Sequence, residues 1–228
     1  MQRCAATHLI TYFKISLISL VFAVFSTANA GSYDDFFTAI QRDNARGITA
    51  LIQRGFDPNT IDPQLRHGLT MALADSALNA AEALLEAPGI DVNFLNAQDE
   101  SPLMYAALNG HLALAKKLIA KDADVNKTGW TPLHYAATNG HVDIMRLLLD
   151  NNAFVDAESP NGTTPLMMAA QYGNGAAVKL LLDEGAQAMQ KNKQGLSALD
   201  FAQRASRPDA IKLLTAPAVK RQQPAGRW

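Results

Sequence analysis

An all-α repeat solenoid, built from stacked helix-turn-helix units, is the fold class that the sequence predicts. Three observations predict it. The phrase T-P-L-H-Y-A-A-T-N-G-H at Thr131–His141 returns as S-P-L-M-Y-A-A-L-N-G-H at Ser101–His111 and as T-P-L-M-M-A-A-Q-Y-G-N at Thr164–Asn174, with a weaker copy, S-A-L-D-F-A-Q, at Ser197–Gln203. The starts are separated by 30, 33 and 33 residues, and a fixed period in this range marks a stacked repeat. After each phrase comes a leucine-rich segment that suits a second short helix.

Each element has a physical reason. Ser101, Thr131, Thr164 and Ser197 stand where a helix begins, and their hydroxyls can cap free backbone N–H groups. Pro102, Pro132 and Pro165 follow at the first helical position, where a missing N–H costs nothing. Leu133, Ala136 and Ala137 make a narrow apolar stripe that lets another helix approach closely, and Asn139-Gly140 stops the helix at a residue tolerating a left-handed conformation. The second helix reads Val142, Ile144, Met145, Leu147, Leu148, Leu149. Neither helix buries its apolar face alone, but stacked neighbours share one continuous core.

The period, T-P-L-H-Y-A-A, the N-G-H turn, the L-L-L helix and Asp122–Asn126 (D-A-D-V-N) together resemble the ankyrin repeat. The resemblance implies helix pairs joined by β-hairpin-like loops, and a structural hydrogen bond between Thr131 and His134. It says little about function, because a fold does not fix its site.

Residues 1–30 read as an export signal. Arg3 and Lys14 precede or open an apolar run, Ile15–Phe25, interrupted only by Ser16 and Ser19, and Ala28-Asn29-Ala30 supplies a small-x-small cleavage site. Cleavage after Ala30 predicts a periplasmic or secreted chain starting at Gly31. The alternative is an envelope structural protein held at the membrane by this segment uncleaved, although the run is shorter than the 20 or so apolar residues of a comfortable span. The single cysteine, Cys4, leaves with the signal, which suits an oxidising compartment. The exported part then holds 18 basic against 21 acidic residues, a balance of −3 that argues against broad binding to nucleic acid or anionic membrane.

Residues 31–215 are expected to form one solenoid, with repeats near 34–66, 67–100, 101–130, 131–163, 164–196 and 197–215. The first is degenerate, with Phe36 at the leucine slot and Ala39 at the alanine slot. In the second, His67-Gly68 replaces the hydroxyl-proline pair, which predicts a weaker helix start. Asp57-Pro58-Asn59, Asp91-Val92-Asn93 and Asp124-Val125-Asn126 recur at the period, and the fourth copy is read with Asp156 aligned to the aspartates and Ala157 at the asparagine slot. Thr131 follows Asn126 by only five positions, so Lys127–Trp130 predicts a clipped finger at mid-stack, a change that loops tolerate. Residues 216–228 are expected to be a disordered basic tail, with Trp228 solvated.

Chemistry finds no foothold. No G-x-S-x-G elbow, phosphate-binding glycine loop, H-x-x-x-H or H-E-x-x-H pattern occurs. His111 and His141, at equivalent turns, are expected to satisfy backbone groups. No enzyme activity, cofactor or metal is predicted, and a monomer is expected. What remains is a surface. A solenoid of this kind curves, and its concave face is a rigid groove suited to a protein partner; carried over by register, it is lined here by Arg66, Gln98, Glu100, Asn109, Trp130 and Thr138. Asn139, Thr163, Gln171, Tyr172, Gln194 and Arg204 continue the same face. Trp130 and Tyr172 are the expected anchors, since aromatic residues bury large area at low entropic cost.

Overall fold

The computed structural model describes residues 31–216. The expected signal at 1–30 and the tail from 217 onward lie outside the described residues. Six helix pairs follow one another, as the repeat starts predict. They are α1 (31–41) with α2 (Ala45–Gln53), α3 (Gly68–Ala74) with α4 (Leu78–Leu85), and α5 (Pro102–Leu108) with α6 (Leu112–Ala120). The stack continues through α7 (Pro132–Asn139) with α8 (Val142–Asp150), α9 (Pro165–Gln171) with α10 (Gly175–Asp183), and α11 (Ala198–Arg204) with α12 (Pro208–Thr215). The first helices α3, α5, α7, α9 and α11 pack side by side in one row, and the second helices α2 to α12 in another.

The sequence pattern explains the packing. Helices this short are marginal alone. Leu69, Leu103, Leu133 and Leu166 on the first helices are fully buried, as are Leu84, Leu118, Leu148 and Leu181 on the second. Between them the alanines Ala72, Ala106, Ala136 and Ala169 are buried too, and one apolar core runs unbroken from Phe36 to Ala210. The N-terminal signals act as expected. Ser101, Thr164 and Ser197 each accept from the N–H three residues on, at 3.4 Å. Gly140 ends α7 in the left-handed region at φ 66°. At α3, His67 makes no capping bond, in line with the weaker start. Gly68 has a packing reason, since a Cβ there would meet Ile40 Cδ1 at 2.9 Å and the Phe36 ring at 3.1 Å.

The links are hairpin-like turns without a strand ladder. No strand forms among the described residues, and only two isolated antiparallel bridges occur, Ile61 with His67 and Lys191 with Ser197. Instead four links close through a tight turn in which an N–H donates to the carbonyl four residues on: Asp62 to Arg66, Asn96 to Glu100, Ser159 to Thr163 and Asn192 to Leu196, at 3.0–3.1 Å. A side chain at the first position stabilises the turn from inside. Asn96 Oδ1, for example, accepts from the N–H groups of Gln98 and Glu100, and Asn192 Oδ1 from those of Gln194 and Leu196. The link before α7 lacks that closure, as its shortness predicts. There the Lys127 ammonium bonds Asp99 of the preceding link and the Thr128 carbonyl.

A correction concerns the recurring asparagine. Asn59, Asn93 and Asn126 each accept from a backbone N–H of the next repeat, those of Asp91, Asp124 and Phe154, all at 2.8 Å. Asp156 Oδ1 does the same with Gln187 N at 3.0 Å. Asp156 therefore holds the asparagine slot itself, and Ala157 does not. A carboxylate serves there because the slot's accepting role needs only an oxygen.

Candidate functional site

The face formed by α5, α7, α9 and the clipped link carries an open pocket of about 250 Å³, lined by Leu108, Trp130, His134, Tyr135, Thr138 and Met168. Its walls are mostly apolar. His134, fully buried, fixes the floor. Its Nδ1 accepts from the Thr131 N–H at 3.1 Å and lies 2.9 Å from the Thr131 hydroxyl, while Nε2 donates to the Thr163 carbonyl at 2.9 Å. A carbonyl can only accept, so Nε2 carries the proton and the ring is neutral. Burial holds its pKa down, to about 4. Trp130 then packs edge-on to the His134 ring, centroids 5.1 Å apart, and stays partly exposed. Thr138 is turned by its hydroxyl's bond to the His134 carbonyl, at 2.8 Å.

A polar cluster adjoins the pocket through Tyr135. The Tyr135 hydroxyl donates to Glu100 Oε1 at 2.6 Å, and Tyr105 and Asn96 Nδ2 donate to Glu100 Oε2 at 2.5 and 2.9 Å. Burial opposes the charge on Glu100, but these three donors outweigh it and hold its carboxyl below the usual range. Burial and the same carboxylate push the Tyr105 phenol up to about 12, and raise that of Tyr135 as well. Both phenols are therefore donors at neutral pH.

The twelve residues expected along this face fall into distinct groups. Trp130 and Thr138 meet in the pocket, and Glu100 stands next to it. Arg66, Gln98, Gln194, Arg204 and Tyr172 are exposed but lie outside the pocket, Tyr172 with 54% of its surface open. Gln171 is half-buried at the end of α9. Asn109 and Asn139 are tied to the preceding repeat, donating to the Leu73 and Leu108 carbonyls at 2.9 and 2.8 Å. Thr163 is a correction. It is 3% exposed, and its backbone is bound to Ser159 and His134, so its side chain offers nothing to a partner.

Three wall residues, Leu108, Tyr135 and Met168, and the adjoining Tyr105 were not among the expected site residues. Tyr105, Tyr135 and Met168 all stand four residues after the hydroxyl, and Leu108, Thr138 and Gln171 three residues further on. These two slots form the exposed stripe of each first helix, one turn apart. Their recurrence at the repeat period was the available signal.

The other described histidines are held by the repeats. His141 Nε2 lies 3.0 Å from the Leu108 carbonyl, as expected of a turn residue. His111 differs, because its Nε2 meets the Ser76 hydroxyl at 3.1 Å and no backbone group. His67 is fully buried, stacked on Phe94 with centroids 4.8 Å apart, and burial brings its pKa down to about 4. Among the described residues, no group of three or more His, Cys, Asp or Glu is placed to hold a metal ion.

Comparison with known proteins fits this geometry. The family profile described as "Ankyrin repeats (3 copies)" matches residues 69–159 and again 151–223, more than half of the chain. The chain belongs to the ankyrin-repeat family. Its ankyrin repeats are 35% identical over 95 residues to alpha-latrocrustotoxin-Lt1a of Latrodectus tredecimguttatus, covering 40% of this chain and 6% of that protein. Over 109 residues they are 28% identical to ankyrin repeat and SAM domain-containing protein 6 of Mus musculus, covering 46% and 12%. The chain thus matches a small part of each relative, and the likeness is one of ankyrin repeats. Such repeats serve as scaffolds for protein–protein interaction.

Proposed function

We propose that this ankyrin-repeat chain is a non-catalytic scaffold that binds a protein partner through the groove on the first-helix row, with Trp130 as anchor. One observation carries the reading. The pocket between α5, α7 and α9 exposes an indole, a phenol and a thioether on a rigid wall that its own fold leaves uncovered. A fixed scaffold lowers the ordering cost of association, and a partly exposed aromatic at the centre of a groove is the usual seat of binding energy. The titratable groups beside the pocket, His134 and Glu100, are tied into structural bonds, which favours recognition over acid–base work.

Export belongs to the same proposal and rests on the pattern of residues 1–30 alone. The partner is then a periplasmic or otherwise extracytoplasmic protein, and the scaffold acts as a monomer. Among the described residues no helix is long and apolar enough to cross a membrane. The anchored alternative would need Ile15–Phe25 to stay attached, and mass spectrometry of the N-terminus separates the two: a start at Gly31 removes the anchor.

Affinity capture from the envelope fraction, with quantitative mass spectrometry, tests the groove. Trp130→Ala should cost about 1 kcal/mol of stability, the worth of its edge-on contact, yet abolish enrichment of the partner. Tyr172→Ala, on the same face, should weaken enrichment without changing the melting temperature. Partner recovery that is indifferent to Trp130 would place the binding surface elsewhere.

A further inference from the structure

We propose that the groove recognises a basic side chain, arginine before lysine, presented by an extended segment of the partner and received by Glu100. The inference rests on the scaffold reading and names the chemistry of its ligand. Glu100 is half-buried and its charge is fully supported by neutral donors, Tyr105, Tyr135 and Asn96. A carboxylate offers about four acceptor sites, and three are filled, which leaves room for one further donor on Oε1. Among the described residues it has no counter-charge. None of the five ion pairs among the described residues involves Glu100. Lys127 on the adjoining link is taken by Asp99.

This arrangement constrains the guest. A partner that covered Glu100 with apolar surface would bury an unpaired charge, which is costly. A partner that brings a cation turns the same burial into a gain. The pocket supplies the rest of the match. Tyr135 is shared, its ring forming a wall while its hydroxyl bonds the carboxylate, so a chain entering along that wall arrives at Glu100. Leu108 and Met168 suit the methylenes of a long basic side chain or an apolar neighbour of it. The faces of Trp130 and Tyr135 favour a planar guanidinium over a compact ammonium. Glu100 thereby sets which partner fits, and Trp130 sets how tightly it is held.

The test uses the full chain and a phage-displayed random dodecapeptide library. Selected peptides are made with a fluorescein label and their binding followed by anisotropy. Arginine or lysine should be enriched at one position beside an apolar residue. Glu100→Gln should weaken such a peptide at least tenfold, norleucine in place of its basic residue should weaken it equally, and the two changes together should add little more. If Glu100→Gln proves misfolded by circular dichroism, the norleucine peptide on the unaltered chain decides the matter. Peptides lost on Trp130→Ala but unmoved by both the Glu100 change and norleucine would overturn this inference and leave the scaffold reading intact. A library that yields no binder, or only binders indifferent to Trp130, would overturn both.

Discussion

His134 shows how much one side chain settles in this stack. It closes the Thr131 N–H from one ring nitrogen and the Thr163 carbonyl from the other, and its ring supports Trp130. The equivalent slot holds Met104 and Met167 in neighbouring repeats, where each sulfur accepts from the backbone N–H of Ser101 or Thr164, at 3.2 and 3.4 Å. The Thr163 carbonyl also accepts from Ser159 N at 3.0 Å, so losing the imidazole does not orphan it. His134→Met should therefore cost about 1 kcal/mol, and His134→Ala about 3, because alanine leaves both a cavity and an unpaired N–H. Chemical denaturation of the two variants checks the order. An equal loss would mean that the sulfur does not stand in for the ring nitrogen.

At the scale of the helix, two substitutions separate pattern from packing. Judged by the repeat alone, Gly68→Pro repairs α3, giving the second repeat the first-position proline of the third, fourth and fifth. The first repeat forbids it. Ile40 Cδ1 and the Phe36 ring, both fully buried, already occupy the space a Cβ would need. Gly68→Pro is expected to destabilise by about 1–3 kcal/mol, the usual cost of overpacking, where propensity alone predicts a gain. Leu148→Ala, on the fully buried face of α8, should cost about 2–5 kcal/mol through the cavity it opens. The α8 helix packs on both α6 and α10, so hydrogen exchange should quicken in all three. Protection lost in α8 alone would argue against coupling through the stack.

The whole molecule carries a pH dependence that follows from two buried imidazoles. His67 and His134 both have pKa values of about 4 in the folded chain, against an ordinary value of 6.5. Below 6.5 the unfolded chain takes up protons that the folded one refuses, so stability is complete above that value and falls as the pH drops towards 4. The loss approaches about 3 kcal/mol for each residue. Glu100, with its pKa lowered, adds a loss of the same sign only at more acidic pH. Urea midpoints at pH 7.5, 5.5 and 4.5 should decline in that order, and His134→Met should remove one of the two increments. A midpoint that holds level from 7.5 to 4.5 would show both rings to be protonated without strain.

The sequence by itself determined the repeat. Its hydroxyl, proline, leucine and alanine positions dictate short capped helices that cannot stand singly, and the period of about 33 residues forces them to share one core. It also foretold the clipped link, while the Thr131–His134 bond followed from the ankyrin resemblance. Tertiary structure decided what the surface became. Whether Thr163 faces a partner or the interior, whether Asp156 acts as an asparagine, and whether Tyr105 and Tyr135 converge on Glu100 depend on neighbours one repeat away. Such contacts join residues roughly 30 positions apart, and local pattern holds no record of which side chain the stacking brings against which.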